Sequence, residues 1–192
     1  GLRDALRERG HTADTVSLPY AWQPHALLGS SALAWRMLEL SQVNGQPVDV
    51  LIATKFPSYA ARHPHKVVWL VHQHRQAYDW YGTPLSDFVN TPEDRAVREW
   101  LLRMDRTTLG EARRLWAISK NVAARLKRFT GLEATPLYPP SRYAGRLRAG
   151  PYGDYLLSDA RLDQAKRIDL LLRALARTEE PVRCVLISTG PE

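Results

Sequence analysis

The sequence predicts an α/β protein built on parallel strands. Val48–Ala53 (VDVLIA) and Lys66–Val71 (KVVWLV) are near-continuous apolar runs, the pattern of strands buried on both faces. Segments around them carry apolar residues at helical spacing. The last stretch, Asp154–Glu192, reads strand–turn–helix–strand, which is the spacing of a βαβ unit whose strands run parallel.

Taken in order, Leu2–Arg9 places Leu2, Ala5 and Leu6 on one helical face and stops at Gly10-His11. Thr12–Leu18 alternates as a strand and is closed by Pro19. Tyr20–His25 is irregular around Pro24. Leu27–Leu40 reads as a helix with Leu33, Met37 and Leu40 on one face, and Asn44-Gly45 as a turn. Strand Val48–Ala53 runs into the loop Thr54–His65. Strand Lys66–Val71 runs into His72-Gln73-His74-Arg75 and the aromatic loop Tyr78–Tyr81. Thr91-Pro92-Glu93-Asp94 is a helix start, with a Thr cap, Pro at the first position and an acid three residues after the cap. Val97, Trp100, Leu101 and Met104 then recur at helical spacing. Leu115–Ile118 is a short strand. Ser119 caps a helix with Val122, Ala123, Leu126 and Phe129 inward, and Gly131 ends it. Ala134–Tyr138 is a further strand before Pro139-Pro140 breaks all regular structure.

Residues 141–153 are rich in Arg, Gly, Tyr and Pro without periodicity, and read as a linker. The expected organisation is a first domain at 1–140, the linker at 141–153, and the start of a second domain at 154–192. In the second, Tyr155–Leu157 and Val182–Ser188 are the strands. Asp163 is the helix cap, the helix starts near Gln164, and Ile168, Leu171, Leu172 and Leu175 form its apolar face. Leu51, Ile52, Val68 and Leu70 are expected buried in one parallel sheet, and Leu186 and Ile187 in another.

The 192 residues are 44% hydrophobic and 24% charged, a folding rather than a disordered composition. No apolar run approaches the ~18 residues of a membrane span. The single cysteine, Cys184, lies in an apolar run and has no partner for an internal disulfide, so a reducing, cytoplasmic setting is the expectation. The net charge of +7 favours anionic partners: nucleotide sugars, nucleic acid, or acidic lipid at a peripheral membrane contact. The chain opens inside a helical pattern and stops just after a strand, so it is expected to be a fragment of a longer protein.

Arg161 and Lys166 bracket the predicted helix start after Tyr155–Leu157. Free backbone N–H groups and two cations make a site for an anion, phosphate above all. Spacing alone also admits two solvated surface charges, which are common in so basic a chain. The segment Ala160-Arg161-Leu162-x-x-x-Lys166-Arg167-x-Asp169-x-Leu171-Leu172-x-Ala174-Leu175 resembles the G-R-L-x-x-x-K-G-x-D-x-L-I-x-A-L segment of the retaining glycosyltransferases of glycosyltransferase family 4. Ala160 stands where that family has Gly before the Arg, and Arg167 where it has Gly after the Lys. Leu2–Asp14, Trp116–Ala124 and Leu137-Tyr138-Pro139-Pro140 resemble further segments of the family in the right order.

The resemblance implies the GT-B fold, two Rossmann-like domains, with the first strand and most of the second domain outside this sequence. It implies that Arg161 and Lys166 hold the diphosphate of a nucleotide diphosphate sugar donor. The acceptor is an unidentified glycan, lipid or small molecule, with no bound metal or other cofactor and no nucleic acid. Gly190 would line the same site. The family's acidic E-x7-E segment has no counterpart between Asp154 and Glu192, so these residues alone are expected to be inactive.

Four of the six histidines, His63, His65, His72 and His74, crowd one stretch. A metal site would need further ligands, and only Asp79 and Asp87 are near. A hydrogen-bonded loop cluster is the plainer alternative. His72 ends a buried parallel strand, where open α/β sheets place ligands. The resemblance implies that His72 faces the donor sugar and is the catalytic candidate, with His74 the next choice. Arg75, Lys55 and Arg62 could meet an anionic acceptor or the phosphates, or be surface charges. Tyr59, Trp69, Tyr78, Trp80 and Tyr81 could stack on sugars or bases, but no nucleic-acid module fits their spacing. The alternative from another class is a non-catalytic basic α/β module that binds a nucleotide or polyanion.

Overall fold

The computed structural model describes residues 1–141 and 143–190. The chain divides into two compact units, Gly1–Arg142 and Tyr143–Glu192. The first unit is α/β. Its sheet contains β3 (Leu51–Lys55), β4 (Lys66–His72), β5 (Arg114–Ala117) and β6 (Thr135–Pro136), all parallel and in that order. The helices are α1 (Leu2–Arg7), α2 (Leu27–Met37), α3 (Pro92–Gly110) and α4 (Lys120–Thr130). A small hairpin, β1 (Gln42–Val43) and β2 (Gln46–Pro47), turns at Asn44 and Gly45, both with positive φ, as a two-residue hairpin turn requires.

The core lies on one face of the sheet. Ala53, Val68, Leu70 and Ala117 point into it and meet Leu28, Leu101, Leu109 and Leu126 from the helices. Burying each leucine contributes roughly 1.5–3 kcal/mol. Local signals set the helix ends. Thr91 Oγ1 accepts the Asp94 N–H at 3.2 Å, and Ser119 Oγ accepts the Val122 N–H at 3.1 Å. Gly131, at φ 76°, closes α4 in the left-handed conformation.

Three expectations are corrected. Thr12–Leu18 forms no strand; among the described residues no strand pairs with it to complete a ladder, and Val16 is exposed. On α2, Leu33 and Met37 face solvent while a different i, i+4, i+7 set, Leu28, Ala32 and Trp35, is buried; Leu40, past the end of the helix, is buried as expected. Leu51 and Ile52 share the sheet with Val68 and Leu70 as expected, but only Val68 and Leu70 are fully buried. Ile52 is exposed because it points to the opposite face from Ala53.

The second unit holds β7 (Tyr155–Ser158) and β8 (Arg183–Leu186), paired in parallel, with α5 (Ile168–Leu175) between them. This is the βαβ arrangement read from the sequence. Leu186 and Ile187 are exposed rather than buried, since a two-stranded sheet with one short helix cannot cover both of its faces. The helix begins at Ile168, not near Gln164. Gln164–Lys166 is a separate 3-10 turn, capped by Asp163, and Arg167 takes φ 55° between turn and helix. No described helix is long and apolar enough to cross a membrane.

Candidate functional site

In the first unit the candidates gather where β4 ends. His72 is its last residue, half-buried and in register with Lys55 at the end of β3. His72 Nδ1 lies 2.7 Å from the Gln73 carbonyl oxygen. A carbonyl only accepts, so Nδ1 is the donor there, and in the tautomer this bond selects Nε2 is the acceptor. His72 therefore presents an acceptor at the carboxyl edge of a parallel sheet, where such folds expose ligand sites.

His74 points the other way. It is 9% exposed, and Tyr20 Oη meets its Nδ1 at 3.0 Å. Phe56 and Phe88 flank the ring, and Nε2 is buried without a partner. Burial pushes its pKa down to about 4, so it is neutral near pH 7. In a continuing strand residues 72 and 74 would share a face, but the strand ends at His72 and a 3-10 turn at Arg75–Ala77 follows, so that rule no longer holds.

Arg75 is occupied. It donates to Asp79 Oδ2 at 2.6 Å, and its guanidinium stacks 4.0 Å from the Trp80 ring. Arg125 from α4 binds the same Asp79 oxygen at 2.6 Å. Burial raises the Asp79 pKa, but the two arginines outweigh burial and hold it below the usual carboxylate range. Asp79 thus ties the loop to α4. Lys55 and Arg62 are exposed.

The other histidines serve as tethers. His63 Nε2 donates to the Val48 carbonyl at 2.9 Å and His65 Nδ1 to the Asp49 carbonyl at 2.8 Å, fixing the approach to β3. Among the described residues, no group of three or more His, Cys, Asp or Glu side chains is arranged to hold a metal ion.

Two clusters escaped the sequence reading. His25 is buried, with Nδ1 2.6 Å from Asp94 Oδ1 and its ring stacked on Phe88 at 3.9 Å. Asp94 Oδ2 also accepts the Val89 N–H at 2.7 Å. Separately, Lys66 is 1% exposed, and its ammonium donates to the carbonyls of Tyr59, Ala61 and Thr108 and to Glu111. Glu111 is in turn gripped by both terminal nitrogens of Arg36. A lysine opening an apolar strand looks like an edge residue; only the three-dimensional convergence of carbonyls identifies it as buried.

In the second unit, Arg161 and Lys166 lie on the loop that leaves β7. Both are exposed. Arg161 Nε is 3.6 Å from Asp163 Oδ2, and the Lys166 ammonium has no ion-pair partner among the described residues. Asp163 Oδ1 accepts the Lys166 N–H at 3.1 Å, which holds the turn and presents both cations on one short segment. Gly190 follows β8 and is exposed. A Cβ there would collide with the Leu162 carbonyl, so the two loops past the strand ends approach each other backbone to backbone. Pro191 and Glu192 lie outside the described residues.

No family model, curated protein or solved structure matches this chain.

Proposed function

We propose that this chain forms part of a retaining glycosyltransferase of GT-B type that takes a sugar from a nucleotide diphosphate donor. The observation that carries the reading is the loop after β7. Its two exposed cations, Arg161 and Lys166, stand at the carboxyl end of a parallel strand, beside the glycine of the next strand's loop. Arg167 adds support. It adopts φ 55°, a left-handed conformation that favours glycine, at the position where the glycosyltransferase segment has Gly.

In this reading Arg161 and Lys166 meet the charge that develops on the leaving diphosphate, an electrostatic role. His72 accepts a hydrogen bond from a sugar or acceptor hydroxyl through Nε2, and so orients the reacting groups. The acceptor is a glycan, lipid or small molecule, and the net charge of +7 suits an anionic partner or an acidic membrane surface.

The test is sugar transfer by the enzyme that contains this sequence, after a thermal-shift screen of nucleotide sugars has found the donor. His72→Ala should lower turnover far more than donor affinity. Loss from His74→Ala with His72→Ala silent would move the role to His74. Binding of nucleic acid as tight as that of any nucleotide sugar would favour the polyanion-binding alternative.

A further inference from the structure

Leu33 and Met37, one turn apart on α2, are 57% and 76% exposed. Leu33 forms one wall of an open groove with a volume of about 370 Å³. Trp100 and Met104, half-buried and one turn apart on α3, form the other wall. The buried Ala32 and Ala60 close its bottom, and Arg36 and Arg103 line it. An exposed apolar face rimmed by charge is the usual mark of a binding surface.

We propose that this groove binds an amphipathic carboxylate, its apolar chain against Leu33, Trp100 and Met104 and its carboxylate on Arg103. Charge selects the anion. The groove's lining holds two arginines and no acid. Arg103 pairs only with Glu99, at 3.8 Å, beyond hydrogen-bond reach, so none of its five N–H donors has an acceptor among the described residues. Arg36 donates to the Ala60 carbonyl and to both oxygens of Glu111. Lys66 donates to the same Glu111, so two basic groups share one carboxylate beside the groove. Asp105, next to Met104, is turned into the core against Tyr59 and Tyr78, where burial pushes its pKa up to about 7.

Size selects a small molecule over a docked helix. The groove's 370 Å³ lies low in the range of roughly 300–1,000 Å³ typical of ligand pockets. The flexible thioether of Met104 lets one wall adapt to the chain it meets. The groove is also separate from the His72 edge. Thr108, in its lining, accepts the Lys66 ammonium through its carbonyl. Lys66 opens β4 and His72 closes it, roughly 20 Å apart at about 3.3 Å per residue. Binding here therefore stands or falls independently of sugar transfer.

The chain's two methionines, Met37 and Met104, both flank this groove and give it two NMR methyl signals of its own. The experiment is a titration of the full chain with decanoate, kept below its micelle concentration, following those methyls and the Trp100 indole N–H. The Met104 methyl and the indole should shift saturably. Arg103→Ala, a change at an exposed side chain, should weaken decanoate binding about fivefold and leave decanol binding unchanged, with the gap between the two ligands narrowing as salt rises. Leu33→Asp, equally exposed, should weaken both ligands. The proposal is overturned if decanol or decyltrimethylammonium binds wild type as tightly as decanoate does, or if the Met104 methyl does not respond. Methionine shifts that follow protein concentration without ligand would assign the face to a second copy instead. Shifts with anionic phospholipid vesicles but not with decanoate would assign it to a membrane, and either result would also overturn the proposal.

Discussion

Lys66 is the residue whose chemistry most defies its place in the sequence. It is buried at the first position of a core strand, and four acceptors surround its ammonium. Burial lowers its pKa, and the hydrogen bond and charge of Glu111 oppose the shift. Lys66→Met should destabilise the unit by about 3–5 kcal/mol in urea unfolding, because carbonyls and one carboxylate oxygen lose their donor. A loss under 1 kcal/mol would mean that water replaces the ammonium. Two other buried residues work against each other across pH. Asp105 binds its proton more tightly folded than unfolded, so its contribution to stability falls as pH rises from about 4 to 7. His74 binds its proton less tightly folded, so its contribution rises with pH between about 4 and 6.5. Asp105→Asn should expose the His74 effect, giving stability that climbs through that window and is level above it. A variant whose stability still fell towards pH 7 would place the titrating group elsewhere. Asp105 was not legible beforehand, and His74 was legible only as a site residue, not as a buried one. Asp105 sits among charges on a helix whose apolar spacing drew the eye to Trp100 and Met104, and nothing linear links it to Tyr59 and Tyr78.

At the scale of elements, the start of α3 shows what a sequence can and cannot disclose. Thr91-Pro92 announces the helix by local chemistry, and the Thr91 cap forms as read. Asp94, three residues later, looks like the acid that returns to the cap. It instead joins His25 and the Val89 N–H, and so fastens the segment before α2 to the loop before α3. Thr91→Ala should cost about 1 kcal/mol, the usual worth of a cap. Asp94→Ala should cost about 3 kcal/mol or more in the same unfolding measurement, since it leaves Nδ1 of the buried His25 ring and the Val89 N–H without their acceptor. Equal losses would reduce Asp94 to a surface cap residue. The strands were legible for a similar reason. Apolar runs at 48–53 and 66–71 need no distant partner to declare themselves, whereas Thr12–Leu18 alternates but has no ladder to join. In the second unit, the turn before α5 was legible from Asp163, but the helix starts later because Arg167 turns left-handed. Arg167→Gly should relieve about 1–2 kcal/mol of backbone cost, read as slower amide exchange across residues 155–186 of the full chain. Faster exchange would show that the Arg167–Asp169 pair, at 3.0 Å on the surface, matters more than the backbone.

On the scale of the whole molecule, the first unit is a parallel α/β layer with His72 at its carboxyl edge, and the second a βαβ with Arg161, Lys166 and Gly190 at its own. That each unit presents its candidates at the carboxyl ends of parallel strands follows from topology, and was legible once the strands were. What the sequence hid was occupancy. Arg75 and His74 read as site residues because they follow His72, yet one is held by Asp79 and the other is walled in by aromatics. Arg161 and Lys166 remain open to solvent, and the functional reading rests on them. The direct measurement is calorimetric titration of the chain with ADP, GDP and UDP, repeated for Arg161→Ala and Lys166→Ala at low and high salt. A charge-assisted contact to phosphate is worth roughly 1.5–3 kcal/mol, so each variant should bind the preferred diphosphate about tenfold weaker or worse, with the gap narrowing as salt rises. Affinity unchanged in both variants, or no binding of any of the three nucleotides, would return Arg161 and Lys166 to the solvated surface and contradict the account.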